Sequence, residues 1–294
     1  MKQFLVRCLS FSLPVLAFLV LLEGYARQIP NSYRQKKEWM DSHAHEVEVL
    51  LLGNSHGLFG LKPDCFLQKA YNLCQVSQTL EYDEYLLKHY APACSSLKDV
   101  VLVVDNSGFF DLPLEQTESY RCIYYRLYMD YPKHSLWSSY GFELSDMSAM
   151  KKKLTLGGTQ CDSLGWNPEY TLDRRQDDYL SDAEVNTAVS RHRCKDWQVA
   201  GQNRQTLLRI AQYCRLQGFR LWLLQAPVSQ AYFHKLDTRE LRYLRESCNI
   251  PGVSTVDFSA DSRFHDNDFF DVDHLADVGA AKWSKIVSRT LVAR

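Results

Sequence analysis

A serine at the end of an apolar run is the first residue whose position in the sequence suggests chemistry. The stretch VEVLLLGNSHG brings four apolar residues up to Gly53, and Ser55 follows two positions later. A serine hydroxyl becomes a nucleophile when a neighbouring base removes its proton. A Gly-x-Ser turn alone is weak evidence for such a role, so the base has to be sought elsewhere in the chain.

A base and a carboxylate stand close together near the C-terminus, in the stretch FFDVDHLADVGA. Asp271 and His274 are three residues apart and directly precede a segment with helical periodicity. An imidazole can take the serine proton, and a carboxylate can fix the tautomer of that imidazole and stabilise its cation. A carboxylate before a helix also serves as a cap, so the pair gains weight only in combination with Ser55.

Strand-like and helix-like segments alternate along most of the chain, and they decide where these residues lie. Short apolar runs predict strands at 47–53, 70–73, 99–105, 219–227 and 252–258. Helical spacing of apolar residues predicts helices at 77–91, 203–218, 236–248 and 277–292. The alternation indicates an α/β fold, a three-layer parallel sheet flanked by helices in the flavodoxin-like manner. Ligands of such sheets bind beyond the carboxyl ends of the strands, which is where Ser55 lies.

Residues 112–200 interrupt this alternation. The segment is rich in aromatic and charged residues, shows no alternating strand pattern, and contains Trp137 and Trp166. We interpret it as an insertion packed over one end of the sheet. Its aromatic side chains are compatible with a sugar-binding cleft and equally with a small local core.

The overall composition is that of a globular protein. The 294 residues are 46% hydrophobic and 23% charged, with a formal net charge of -1. The chain is therefore long enough for one large core or two small ones. Nucleic-acid binding needs a basic stripe or patch, and neither is visible, so a nucleic-acid partner is not expected.

The N-terminus has the pattern of a membrane segment. Lys2 and Arg7 are followed by an uncharged apolar stretch at 8–22, which reaches about 19 residues if it is extended back to Phe4. The residues after the stretch do not form a small-x-small cleavage site. We therefore expect an uncleaved signal anchor at 1–27, followed by one α/β domain at 28–294. A cleaved signal with an unusual site is the alternative.

The side of the membrane is less clearly encoded, because Arg27, Arg34, Lys36 and Lys37 follow the span and oppose export under the positive-inside rule. The tail before the span is very short, and long domains translocate largely regardless of charge. We expect the body to lie outside the cytoplasm, on the periplasmic side of the inner membrane, with the membrane itself as a partner of the N-terminal helix.

Neither the cysteines nor the acidic residues predict a metal or cofactor. Nine cysteines are scattered without a CxxC pair or zinc-type spacing. Apart from Cys8, they are equally compatible with disulfides and with buried free thiols. The acidic run at 265–273 is oxygen-rich but lacks the glycine and terminal glutamate of an EF-hand.

The two chemistry-bearing stretches resemble the first and last blocks of the SGNH (GDSL-type) hydrolase superfamily. LLLGNSHG and FFDVDHLADVGA are most similar to its membrane-anchored bacterial branch, which includes proteins that acetylate alginate or transfer D-alanine at the cell surface. AYNLCQVSQTLEYDEYLL and LWLLQAPVSQAY are similar to later segments of that branch, so the resemblance covers about 23–110 and 200–294. It implies a triad with Ser55 as nucleophile, His274 as base and Asp271 as the orienting carboxylate, and no cofactor.

The oxyanion hole departs from the superfamily pattern. Members of the superfamily add a glycine after the second strand and an asparagine after the third to the amide of the nucleophilic serine. Asn106 is our candidate for the asparagine. No glycine follows the second strand here, and Ser77 or Cys74 stands near its place. Next to the nucleophile, His56 could bind the acyl or sugar group or could pack at the strand end.

The resemblance implies a serine-dependent acyl-ester hydrolase or O-acyltransferase that acts on an ester substrate such as an acylated cell-surface glycan. A membrane protein would supply the acyl group in the transferase case, which we favour, with Trp137 and Trp166 covering the acceptor. The alternative is a non-catalytic glycan-binding or assembly component with the same fold. The missing glycine favours that alternative, whereas the Ser, His and Asp set favours the enzyme.

Overall fold

The computed structural model describes residues 1–132 and 141–293 of the chain. The chain forms two compact units, one made of Met1–Lys37 with Glu118–Gln160 and the other of Glu38–Thr117 with Cys161–Arg294. The insertion expected at 112–200 is thus divided between them. Trp137, which we expected to cover the acceptor, lies outside the described residues.

Five parallel strands form the sheet of the second unit, in the order β2-β1-β3-β4-β5. Each lies within one of the five predicted strands: β1 Val49–Leu52, β2 Ala70–Asn72, β3 Asp99–Val103, β4 Arg220–Gln225 and β5 Ser254–Asp257. All pairings are parallel, with Leu51 opposite both Asn72 and Val101. The predicted α/β fold with a parallel sheet is therefore confirmed.

Helices cover both faces of this sheet. The helices of the second unit are α3 Ser55–Gly60, α4 Leu80–Tyr90, α5 Asn106–Phe109, α6 Leu114–Thr117, α9 Asp182–His192, α10 Trp197–Gln217, α11 Gln230–Phe233, α12 Thr238–Cys248 and α13 Asp277–Val292. Helix α4 packs against α10, and α3 packs against α13. Parallel strands are connected by right-handed crossovers, which place the first pair on one face and the second pair on the other.

Side chains of a strand point alternately to the two faces of the sheet, and the core on each face is built from every second residue. Leu51, Val101 and Trp222 belong to one buried cluster with side chains of α3 and α13, among them Trp283. Their chain neighbours in the strands, such as Leu50, are also fully buried. A strand that is buried on both faces reads as a continuous apolar run, which is why these segments were recognisable in the sequence.

The first unit contains α1 Lys2–Gln28, α7 Ser119–Tyr128 and α8 Met147–Leu156, and α2 Ser32–His43 begins in it. Within α1, Ser10–Gln28 has a mean hydropathy of 1.3 and is only 6% buried, so it is long and apolar enough to cross a membrane. Buried Lys153 of α8 contacts the buried carboxylate of Glu143 at 2.6 Å.

The eight cysteines from Cys65 onward are free thiols. Five are buried, namely Cys74, Cys94, Cys122, Cys214 and Cys248. Of the two possibilities left open by the sequence, disulfides and buried free thiols, the second applies to these five, and the other three are half-buried free thiols.

The turn after β1 depends on a glycine. Gly53 has a φ of 131°, a region that side chains disfavour, and a methyl group there would lie 2.8 Å from Cβ of Val103. Where the chain exits β1 it passes directly against β3, and this is possible only if residue 53 has no side chain. This close passage sets the position of Ser55 two residues later.

Candidate active site

Ser55 is the first residue of α3 and lies just beyond the carboxyl end of β1. The side chain of Asn54 caps this short helix by accepting a hydrogen bond from the backbone N–H of His56 at 3.0 Å. The same amide donates to Asp105 at 3.0 Å and to Ser107 at 3.1 Å, just beyond β3. The turn that carries Ser55 is thus tied to the neighbouring strand end.

His274 is presented by a tight turn between β5 and α13. The carboxylate of Asp271 accepts the backbone N–H groups of Asp273, at 3.0 Å, and His274, at 2.8 Å. The backbone N–H of Phe270 donates to the carbonyl of His274 at 2.9 Å and closes the turn. Asp271 therefore organises the backbone that carries the imidazole.

The structure brings Ser55, His274 and Asp271 together. Nε2 of His274 lies 2.9 Å from Oγ of Ser55, and Nδ1 lies 3.0 Å from both carboxylate oxygens of Asp271. A carboxylate can only accept, so Nδ1 carries the proton and Nε2 is free to accept the serine proton. The order hydroxyl, imidazole, carboxylate is the one that activates a serine.

His56 is buried between two carboxylates and does not line an open surface. Its Nδ1 lies 2.5 Å from Asp105 and its Nε2 lies 3.1 Å from Asp273, so both nitrogens act as donors and the ring is an imidazolium. Burial alone would lower the pKa of His56, but the facing carboxylates of Asp105 and Asp273 raise it to about 10. This arrangement differs from the direct substrate contact suggested by the sequence, because neither nitrogen is free for a ligand.

Both partners of His56 are ionised. Burial opposes ionisation of Asp105, but His56, with hydrogen bonds from Ser107 and Asn54, holds the pKa of this carboxyl well below its usual range. Burial likewise opposes ionisation of Asp273, and the neighbouring imidazoles, first that of His274, hold its pKa low as well. One buried cation and two buried anions therefore lie directly behind the serine.

A third histidine, His192 at the end of α9, lies against the same cluster. Its Nδ1 is 2.8 Å from the hydroxyl of Tyr232 and 3.6 Å from Asp273, and its Nε2 accepts from Arg191. Burial lowers the pKa of His192 to about 4, which keeps the ring neutral. It therefore adds a dipole to the site without adding a charge.

The expected oxyanion residues lie at the same edge of the sheet. Asn106 begins α5, is buried, and its amide contacts the carbonyl of His192 at 3.4 Å. Its Oδ1 is buried with no hydrogen-bond partner among the described residues. Ser77 is half-buried in the loop after β2 and has a φ of 56°, the left-handed backbone region that favours glycine.

A stack of aromatic rings borders His274. Tyr170 lies between Phe59 and Phe270, with ring centroids 3.8 and 4.1 Å apart and nearly parallel planes. The edge of Tyr170 meets the imidazole of His274 at 5.4 Å. Trp166, in contrast, is buried and donates its indole N–H to the carbonyl of Phe59 at 2.8 Å, so it is a core side chain and does not cover an acceptor.

The site also contains atoms with the spacing of metal ligands. One atom each of His56, Asp273 and His274 lie within 4.8 Å of one another. These nitrogens already contact carboxylates or Ser55, and a cation would compete with the imidazolium of His56. We assign no metal to this cluster.

Sequence reasoning missed Asp105 and the contacts of Asp273 with histidines, and it did not single out Tyr170 among the aromatic residues of 112–200. Two signals were present: Asp105 directly precedes the candidate Asn106, and the stretch DVDH offers a second carboxylate beside His274. Both partners of His56 are distant in sequence, by 49 and 217 positions. Only the register of the sheet brings them together.

Comparison with known proteins gives fold similarity alone. No family model and no curated protein matches the chain. A structure provisionally described as a platelet activating factor from Streptococcus pneumonia has a TM-score of 0.42 at 12% identity, over 94% of this chain and 98% of the other. One described likewise as a lipolytic protein of the G-D-S-L family from Desulfitobacterium hafniense DCB-2 has a TM-score of 0.39 at 11% identity, over 83% and 98%. Such distant likeness carries no argument about activity.

The charge of His56 predicts a pH-dependent stability. Its pKa rises from 6.5 to about 10 on folding, so its contribution is full below pH 6.5 and is lost as the pH rises through about 10. We expect His56→Gln to destabilise the full-length protein strongly at pH 6 and much less at pH 10, as measured by urea unfolding in detergent.

Replacement of the exposed His234 by glutamine is the matched control, and it should leave the stability unchanged at both pH values. A destabilisation by His56→Gln of equal size at pH 6 and pH 10 would contradict the buried imidazolium.

Proposed function

We propose that the protein is a serine-dependent acyl-ester hydrolase or O-acyltransferase. The observation that carries this proposal is the continuous path from Ser55 through His274 to Asp271, with contacts of 2.9 and 3.0 Å at the carboxyl edge of the sheet. The sequence blocks that resemble SGNH hydrolases support the same chemistry. The proposed mechanism needs no cofactor.

In the first step, Nε2 of His274 takes the proton of Ser55 while Oγ attacks the acyl carbonyl. Asp271 stabilises the imidazolium that forms, and His274 then returns the proton to the leaving alcohol. The result is an acyl-enzyme on Ser55. Water or the hydroxyl of an acceptor attacks it next, again with His274 as base, and Ser55 is released.

The oxyanion formed in each step needs hydrogen-bond donors. Ser55 is the first residue of α3, so its backbone N–H has no partner within the helix and can donate to the oxyanion. We propose the amide of Asn106 as a second donor and the region of Ser77 as a third. Loss of one such donor typically lowers kcat about 10²–10³-fold.

The assignment of Ser55 predicts a specific covalent reaction. A fluorophosphonate should label the full-length protein in detergent on Ser55, and Ser55→Ala should abolish both labelling and ester turnover because the nucleophile is absent. Ser181→Ala is the matched control, since Ser181 also stands at a helix start, where it caps α9. Labelling that persists in Ser55→Ala, or is lost in Ser181→Ala, would contradict the assignment. A folded wild type that never labels would favour the non-catalytic component.

We further propose that the acceptor is a hydroxyl of a cell-surface glycan and that a membrane protein donates the acyl group. Transfer requires an acceptor that is held in line and competes with water, which high effective molarity makes possible. The stacked rings of Tyr170 and Phe270 lie beside the base that must activate this acceptor. They support a sugar-binding wall at this position.

Tyr170 should therefore control the ratio of transfer to hydrolysis. With a small acetyl ester and an oligosaccharide acceptor, Tyr170→Ala should shift the product from acetylated sugar toward free acetate, and Tyr170→Phe should behave like the wild type because it keeps the ring. Tyr213→Ala on α10 is the control. If the wild type releases only acetate at every acceptor concentration, the transferase proposal fails and the esterase remains.

We propose that α1 anchors the protein in the inner membrane and that the body lies on the periplasmic side. The apolar span Ser10–Gln28 and the short basic N-terminus support this location. An export-dependent phosphatase fused after Arg294 should be active, and a reporter that works only in the cytoplasm should be inactive at the same junction. The opposite pattern would reverse the proposed topology.

A further inference from the structure

Asp273 is the centre of a group of three imidazoles. Its carboxylate lies 3.1 Å from Nε2 of His56, 3.6 Å from Nδ1 of His192 and 3.7 Å from Nδ1 of His274. The side chain is only 1% exposed. The 3.7 Å contact with His274 is made by Oδ1, which is buried and has no hydrogen-bond partner among the described residues. A buried, ionised oxygen therefore faces the base without a donor.

His56 links this carboxylate to the rest of the site. It follows Ser55 in α3, and its two nitrogens contact Asp105 beyond β3 and Asp273 before α13. Its ring also meets that of His274 edge-on, at a centroid distance of 4.7 Å. One side chain thus connects the segment with the nucleophile to the segment with the base.

We propose that Asp273 is a second positioning carboxylate for His274 and that His56 is the positioning residue that holds Asp273 in place and offsets its charge. This inference rests on the proposed function, because it concerns the same base. Asp271 accepts a hydrogen bond from Nδ1–H of His274, whereas Asp273 acts on the imidazole through its charge.

The two residues have opposite effects on His274. The anion of Asp273 favours the imidazolium that forms when the proton of Ser55 is taken, and the cation of His56 disfavours it. Removal of Asp273's charge should therefore slow the chemical step and move the acid limb of the kcat/KM profile to lower pH. Removal of His56's charge should move that limb to higher pH.

Other titratable and polar groups also face the cluster. Those that face it from the neighbouring elements are Ser55, Asp105, Ser107, Tyr170, Arg191, His192, Tyr232 and Asp271. None is changed in the two main variants. The opposite directions expected for these variants distinguish the charge of Asp273 from that of His56.

The experiment measures hydrolysis of 4-nitrophenyl acetate by the full-length protein in detergent between pH 5 and 9, for wild type, Asp273→Asn and His56→Gln. The matched control is Asp99→Asn. Asp99 is a buried carboxylate at the opposite end of β3 and accepts from Trp222 at 2.9 Å and Arg220 at 2.7 Å. Its replacement removes a comparable buried charge far from the site.

We expect Asp273→Asn to lower kcat about tenfold with KM within about twofold, and to move the acid limb down by about one pH unit. We expect His56→Gln to move it up by a similar amount and Asp99→Asn to leave it in place. The proposal is overturned if the acid limb does not move, or moves in the same direction in Asp273→Asn and His56→Gln. The proposed function stands in that case as long as the wild type is active.

A second measurement covers loss of folding or activity. If His56→Gln unfolds, the double variant His56→Gln/Asp105→Asn replaces it, because it removes one charge of each sign. It should also move the acid limb of the kcat/KM profile to higher pH. NMR of the wild type with nitrogen-15-labelled histidine should show both ring N–H groups of His56 up to pH 9. This measurement does not require an active enzyme. A wild type without turnover therefore rejects only the proposed function, whereas a neutral His56 at pH 7 rejects the inference about Asp273 and His56.

Discussion

The backbone of Gly53 passes so close to Val103 that no side chain fits between them, and the site is built on this close passage. Two residues later on one chain segment lies Ser55, and two residues beyond Val103 on the other lies Asp105. Because β1 and β3 are adjacent and parallel, both positions lie at the same edge of the sheet. His56 can then reach Asp105 at 2.5 Å only because the two strand ends are held in contact.

Around this contact the protein buries charges at a high cost in desolvation. A buried ion pair contributes little to stability unless its remaining polar atoms are also bonded. Asp105 meets that condition, since it accepts from His56, Asn54, Ser107 and the backbone of Gly108. Asp273 does not, because one of its oxygens has no donor among the described residues. Perturbed, incompletely bonded carboxylates cluster at functional sites, so the incomplete bonding of Asp273 beside Ser55 supports the proposed catalytic role of this cluster.

Much of the fold could be predicted because its signals are local. Strands buried on both faces are continuous apolar runs, and a C-terminal glycine marks the end of α10, where Gly218 adopts a left-handed backbone. Asp271 and His274 were identifiable for the same reason, since a carboxylate three residues before a histidine can contact it within one turn. The predicted strands were longer than those observed, because the apolar runs continue for a residue or more beyond the paired positions.

The roles of His56 and Trp166 could not be predicted, because they depend on contacts between distant parts of the chain. A histidine beside Ser55 has the same sequence pattern whether it faces a ligand or a pair of carboxylates. Trp166 was expected to cover the acceptor because its segment is rich in aromatic residues, whereas in the structure it is buried and donates a hydrogen bond to Phe59, 107 positions away. Such contacts are determined by the register of the sheet and not by local periodicity.

The buried cysteines have a consequence for the redox behaviour of the protein. Thiol–disulfide exchange proceeds through the thiolate. Burial raises the pKa of Cys94 to about 11 and those of Cys214 and Cys248 to about 12. At neutral pH these three thiols are therefore almost entirely protonated. The folded state therefore protects these thiols from scrambling, whereas a chain that folds slowly among oxidants would expose all of them at once.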